Sequence, residues 1–256
     1  MNDINKNENR LGRFTSSNIS DLMKKDRTGK GFGSPAKTLI YKKNIERSLG
    51  LPCDNSAESQ ETEWGKFWEQ KVFDMLGIDV ELTSDQTYSH PVYGEFWAGS
   101  PDGFRHENGK KIVIDYKCPF TRSSYFELVS GITAGLSGND SIKAIREGFV
   151  HAVTSMPIDA HIYGDKYYWQ LVSNACICDC DEAELIVFMP YSNDILKAMP
   201  ELMQHPKLKY IGDKAPYIKD GGTFKNLNVI RFDIPAEDKQ LLTDTVIEAS
   251  KFLIKV

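Results

Sequence analysis

Ser100-Pro101-Asp102-Gly103, followed shortly by Lys111-Ile112-Val113-Ile114-Asp115-Tyr116-Lys117, is the stretch on which the fold turns. Residues 111–117 are rich in β-branched side chains and alternate in part, which predicts a strand. Residues 92–99, VYGEFWAG, predict the strand before it, with Gly103 and the polar stretch from Arg105 to Lys111 as the connecting turn. Positions i and i+2 of a strand share a face. Asp115 and Lys117 therefore project together, Tyr116 points the other way, and Asp102 lies at the neighbouring strand's end, opposite Asp115.

Two aspartates at one strand end form a hard-oxygen site. Mg²⁺ binds such carboxylates, carbonyls and waters, with Mn²⁺ as its substitute, and the backbone carbonyl of Tyr116 is a further candidate ligand. An ion held there lowers the pKa of a bound water and neutralises phosphodiester charge. A lysine alongside can orient or deprotonate that water, or stabilise charge at phosphorus. Each piece alone also suits an ordinary surface hairpin. Their combination, followed by Cys118-Pro119-Phe120, favours a site.

Working outward, the order helix, strand, strand, strand, helix, strand predicts an α/β fold with a small mixed sheet flanked by helices. The length of 256 residues suits one well-buried domain. We divide it into basic N-terminal helices and loop (1–60), a core (61–191) and a C-terminal extension (192–256). No apolar run approaches a membrane span and the polar start MNDINKNENR has no secretory character, so a cytoplasmic protein without membrane contact is expected. The net charge is −5, yet residues 1–50 hold eleven Lys/Arg and five Asp/Glu, a local balance of +6 that suits contact with phosphates.

Thr15, Ser16 and Ser17 precede Ile19, Leu22 and Met23 at helical spacing. A Gly-rich basic loop over 26–35 lacks the phosphate-loop pattern of nucleotide-binding proteins. A helix is expected over 36–49 and a stronger amphipathic one over 60–76, where Trp64, Phe67, Trp68, Val72, Phe73 and Leu76 form the apolar stripe around Glu69. A short helix over 123–130, a flexible loop over 131–140 and a helix over 141–150 follow. Further on come a helix over 164–178, a strand over 184–190, a mixed region broken by Pro200, Pro206 and Pro216, a strand over 228–233 and a closing helix over 235–255. Cys176, Cys178 and Cys180 form C-x-C-x-C, but without the C-x₂-C pairs of zinc or iron–sulfur sites they read as ordinary buried thiols. The five histidines form no zinc-hydrolase motif, and there is no G-x-S-x-G.

"GSPDG…IDYKCPFT" resembles the catalytic hairpin of the lambda-exonuclease-like (YqaJ-type) viral recombinase family, within the PD-(D/E)xK nucleases. Arg10-Leu11-Gly12-Arg13-Phe14-Thr15-Ser16-Ser17 resembles that family's R-x-G-x-x-T-x-S segment, Trp64-Gly65-Lys66-Phe67-Trp68-Glu69 its G-x-x-x-E helix, and Tyr167-Tyr168-Trp169-Gln170 its Y-Y-x-Q helix. The match runs from about residue 10 to 191. The resemblance implies a restriction-endonuclease-like core and a Mg²⁺-dependent phage or prophage exonuclease that digests double-stranded DNA from 5′ ends in recombination. Asp102, Asp115 and Lys117 would be catalytic, with Glu69 a third carboxylate on a second metal or its waters. Arg10 and Ser17 would hold the 5′-terminal phosphate, and Gln170 would line the site on the DNA side. A homo-oligomer, a trimer by resemblance, and a single-strand annealing partner are implied too. The alternatives are an endonuclease on the same core and a DNA-binding module without chemistry.

Overall fold

The computed structural model describes residues 9–53, 59–77, 79–83, 86–151, 157–159 and 164–255. Its strands are β1 (Phe14–Thr15), β2 (Val80–Leu82), β3 (Tyr88–Ser89), β4 (Trp97–Gly99), β5 (Gly103–Glu107), β6 (Lys110–Lys117), β7 (Phe149–His151), β8 (Pro157–Asp159), β9 (Glu182–Phe188) and β10 (Leu227–Asp233). Its α-helices are α1 (Ser34–Leu49), α2 (Gln60–Leu76), α3 (Arg122–Thr133), α4 (Gly138–Glu147), α5 (Gly164–Cys178), α6 (Ser192–Gln204) and α7 (Ala236–Ser250); a 3₁₀ helix spans Ser16–Met23.

The central sheet has the order β10-β9-β6-β5-β2. β6 and β9 run parallel, and the other pairs are antiparallel. The expected mixed sheet is thus present. β10 pairs with β9 along seven residues, so the C-terminal part completes the core sheet.

Alternation along β6 separates two cores. Val113, with Leu185 and Val187 of β9, packs under α3, α4, α5 and α7. Ile114 and Tyr116, with Ile186 and Phe188, pack against Trp64, Trp68, Val72 and Phe73 of α2 and Ile195 and Leu202 of α6. Asp115 and Lys117 share the first face, and Tyr116 fills the second, as the period of two requires.

The hairpin differs from the expectation. Trp97–Gly99 does not pair with β6; it lies between β1 and β3 in a separate three-stranded sheet. The partner of β6 is β5, and Gly103 is the first residue of β5 rather than its turn. The turn is Asn108-Gly109, both at positive φ (51° and 77°). Asn-Gly with two left-handed residues matches the right-handed twist of a two-residue hairpin. Gly103 is required for another reason: a Cβ there would lie 2.8 Å from the Glu81 carbonyl of β2.

Three other expectations shift. Residues 131–140 are mostly helical: α3 reaches Thr133, and α4 starts at Gly138 with Ser137 accepting from the Asp140 N–H. The expected helix over 141–150 accordingly ends at Glu147, with Gly148 as its left-handed cap. Pro200 does not break the 192–227 region but sits inside α6; it removes one N–H bond while the apolar face through Ile195, Ala198 and Leu202 stays buried. Residues 152–156 and 160 of the 131–160 segment lie outside the described residues.

Candidate active site

The β5–β6 ladder ends at Gly103 opposite Ile114. Just beyond it, the Asp102 N–H donates to the Ile114 carbonyl at 3.1 Å. Two residues further along β6, the Tyr116 peptide faces the same side but has no β5 residue opposite it. Asp102 replaces the missing strand: its Oδ2 accepts from the Tyr116 N–H at 2.7 Å. The Tyr116 carbonyl accepts from Lys117 Nζ at 3.2 Å. The end of the ladder thus places a carboxylate and a main-chain carbonyl together.

Asp115 has no exposed surface. Its Oδ1 accepts from Gln170 Nε2 of α5 at 2.5 Å. Its Oδ2 pairs with the Lys117 ammonium. Lys117 Nζ also lies 5.3 Å from the Tyr167 ring centre. Burial lowers the Lys117 pKa, but Asp115 and Asp102 outweigh it and raise the group above its ordinary value, so it is an ammonium. Burial, then the Asp115 charge, pushes Asp102 up to about 7 against the opposing pull of Lys117 and the Tyr116 N–H.

These donors fit a hard divalent cation. Two carboxylates and a carbonyl converge, and burial together with the Asp115 charge drives Asp102 towards protonation; a cation beside them relieves that crowding. Asp102, Asp115 and the Tyr116 carbonyl would hold it, with waters filling the other positions. Among the described residues no three His, Cys, Asp or Glu side chains gather closely enough to hold a metal. Glu69 is half-buried on α2, which covers the opposite face of the sheet. Its charge reaches Asp102 and Tyr116, adding a minor share to the rise that burial dominates in each.

Arg10 and Ser17 come together: Arg10 Nη2 donates to Ser17 Oγ at 3.0 Å. Their segment is docked on α5, where Ser16 Oγ lies 2.8 Å from Ser173 Oγ, which also accepts from Trp97 Nε1 at 2.9 Å. Ser173 follows Gln170 by three residues, about 4.5 Å of helix rise, so one helix connects the Asp115 contact to the Arg10 segment. The sequence assigned no role to Tyr167, Ser173 or Trp97. Tyr167 had a signal in the Tyr167-Tyr168 doublet, whereas Ser173 had none. Cys176 and Cys178 are half-buried and Cys180 is buried; burial pushes their thiols up to about 11, 12 and 11.

No family model and no curated protein matches the sequence. Solved structures do. A phage-related exonuclease from Haemophilus somnus 129PT superposes with a TM-score of 0.61 at 14% identity, covering 94% of this chain and 92% of that one. LHK-Exo in complex with dAMP gives 0.57 at 13%, covering 96% and 90%. LHK-Exo, an alkaline exonuclease from Laribacter hongkongensis, gives 0.52 at 14% in a second structure, covering 94% and 90%. This chain therefore has, over nearly its whole length, the mixed α/β, restriction-endonuclease-like fold of these exonucleases.

Proposed function

We propose that this protein is a Mg²⁺-dependent exodeoxyribonuclease of the lambda-exonuclease-like (YqaJ-type) family, acting on double-stranded DNA from 5′ ends in phage or prophage recombination. The observation that carries the proposal is the convergence of Asp102, Asp115, the Tyr116 carbonyl and Lys117 at the end of the β5–β6 ladder, on a fold shared with exonucleases.

Asp102, Asp115 and the Tyr116 carbonyl would hold the cation. When bound, it supplies Lewis-acid neutralisation of the scissile phosphate and acidifies a water. Gln170 fixes the Asp115 carboxylate, as a hydrogen-bonded neighbour of a metal ligand does. Lys117, an ammonium beside the two acids, positions or activates the attacking water and offsets charge building on phosphorus. Glu69 assists a second metal or its waters. Arg10 and Ser17 grip the 5′-terminal phosphate through a charge-assisted contact. A homo-oligomer, a trimer, and a single-strand annealing protein as partner complete the proposal, with the bacterial host cytoplasm as the setting.

End-labelled linear duplex and closed circular duplex, each incubated with Mg²⁺, test it. Release of the 5′ label from the linear DNA with the circle intact is the expected result. Cutting of the circle at a similar rate makes the protein an endonuclease, and no release from either makes it a DNA-binding module. Light scattering reads the oligomer, expected at the mass of three chains.

A further inference from the structure

α5 carries Gln170, the partner of Asp115, and Tyr167, whose ring lies against Lys117. The start of this helix is held by three neighbours. The Asp165 carboxylate pairs with Lys24. The Gly164 backbone runs so close to α4 that a Cβ there would come within 2.1 Å of the Ile145 carbonyl. Tyr168 donates its hydroxyl to Asp238 Oδ2 of α7. Asp238 is only 7% exposed and accepts from both arms of the Arg146 guanidinium of α4, at 2.8 and 3.3 Å. That guanidinium also lies 4.5 Å from the Tyr168 ring centre and 5.0 Å from that of Trp169.

Asp238 suits this place. It stands in the first turn of α7, where the helix dipole favours a carboxylate, and a two-armed guanidinium fixes the plane of that carboxylate. A buried ion pair is a poor stability device, because desolvation consumes what attraction returns. An apolar trio of equal volume would fill the same space, but it would tolerate small rotations of α5. A directional hydrogen bond to Tyr168 does not. Tyr168 and Gln170 are two residues apart, about 200° round the helix. The hold on Tyr168 therefore sets where the Gln170 amide points on the far side, towards Asp115.

We propose that Asp238 is a positioning residue for the cation site. Clamped by Arg146, it holds Tyr168, and through Tyr168 the rotation of α5 that keeps Gln170 on Asp115. The inference rests on the reading of Asp115 as a metal ligand and extends that site to a carboxylate on a helix that touches none of the metal-binding groups.

The test is Mg²⁺ binding without DNA, read by isothermal titration calorimetry on the full chain at pH 8, with melting curves alongside. Tyr168→Phe removes one hydroxyl and leaves Asp238 paired with Arg146, so it stays falsifiable should Asp238→Asn fail to fold. Each of the two should weaken Mg²⁺ binding about tenfold, the worth of one hydrogen bond to a charged group. In a Gln170→Ala background, Tyr168→Phe should weaken it no further, because residues acting through one contact do not add. Val246→Ala, a core variant on the same helix, should lower the melting temperature and leave Mg²⁺ affinity unchanged. Three results overturn the proposal alone: Tyr168→Phe binding Mg²⁺ as the intact protein does while Gln170→Ala does not, a full additive loss in the Gln170→Ala background, or an equal loss in Val246→Ala. If Asp115→Asn binds Mg²⁺ as tightly as the intact protein, or the intact protein binds none, the cation site itself falls and takes Asp238 with it.

Discussion

At Asp115 a carboxylate with no exposed surface must be paired, because an unpaired buried charge is costly. One oxygen takes Gln170 from a helix and the other takes Lys117 from its own strand. Lys117→Ala should cut nucleotide release by about 10³-fold, as loss of a preorganised electrostatic partner does, without unfolding the chain by circular dichroism. Gln170→Ala acts through Asp115 and should cost about 10–100-fold with a raised Mg²⁺ requirement; an unchanged Mg²⁺ titration would show that Gln170 does not serve the metal ligand. Asp102 gives a pH signature. Its pKa is raised to about 7 in the folded chain, against about 3.9 unfolded, so the folded state binds the extra proton between those values. Its stabilising contribution is full below about pH 4, fades as pH rises and is gone above about 7. In EDTA, the melting temperature should fall across that window more steeply for the intact protein than for Asp102→Asn, and Mg²⁺ at pH 8 should reverse the loss. Parallel profiles for the two would count against a raised Asp102.

Elements show how local the readable signals were. The stripe Trp64, Trp68, Val72 and Phe73 on α2 is buried where the 3.6-residue period put it, and the helix bounds 60–76 and 164–178 coincide with the expectation. Trp68→Ala should cost about 3–5 kcal/mol in urea unfolding, since it empties the packing against Phe188. The hairpin was legible in kind, but its first strand was misplaced to 92–99, because the expected turn, Gly103 with 105–111, contained Asn108-Gly109 and also swallowed the true strand Gly103–Glu107. Gly109→Ala, at φ 77°, should cost about 1–2 kcal/mol, whereas the same change at a right-handed helical position would be neutral or stabilising. No helix was read over Ser192–Gln204, because Pro200 masks a face that only packing against α2 and the sheet confirms.

Across the whole molecule, Arg47 binds distant segments: it donates to Gly12, Glu95 and Ile254 carbonyls from a side chain 7% exposed. Arg47→Ala leaves those carbonyls short of partners and should destabilise by roughly 2–4 kcal/mol, with loss of affinity for DNA ends at a temperature where the chain is still folded. Asp115 beside Lys117 on one face, Tyr116 on the other, the basic first 50 residues and the mixed α/β class were all determined by the sequence itself. They follow from strand periodicity, composition and element order, which are properties of neighbours along the chain. The pairing of β6 with Gly103–Glu107, the Gln170 contact to Asp115, the meeting of Arg10 with Ser17, and the placing of Glu69 on a helix that covers the other sheet face were decided only by the tertiary structure. Each of these depends on which surfaces bury one another across tens of residues, and no local pattern encodes that choice.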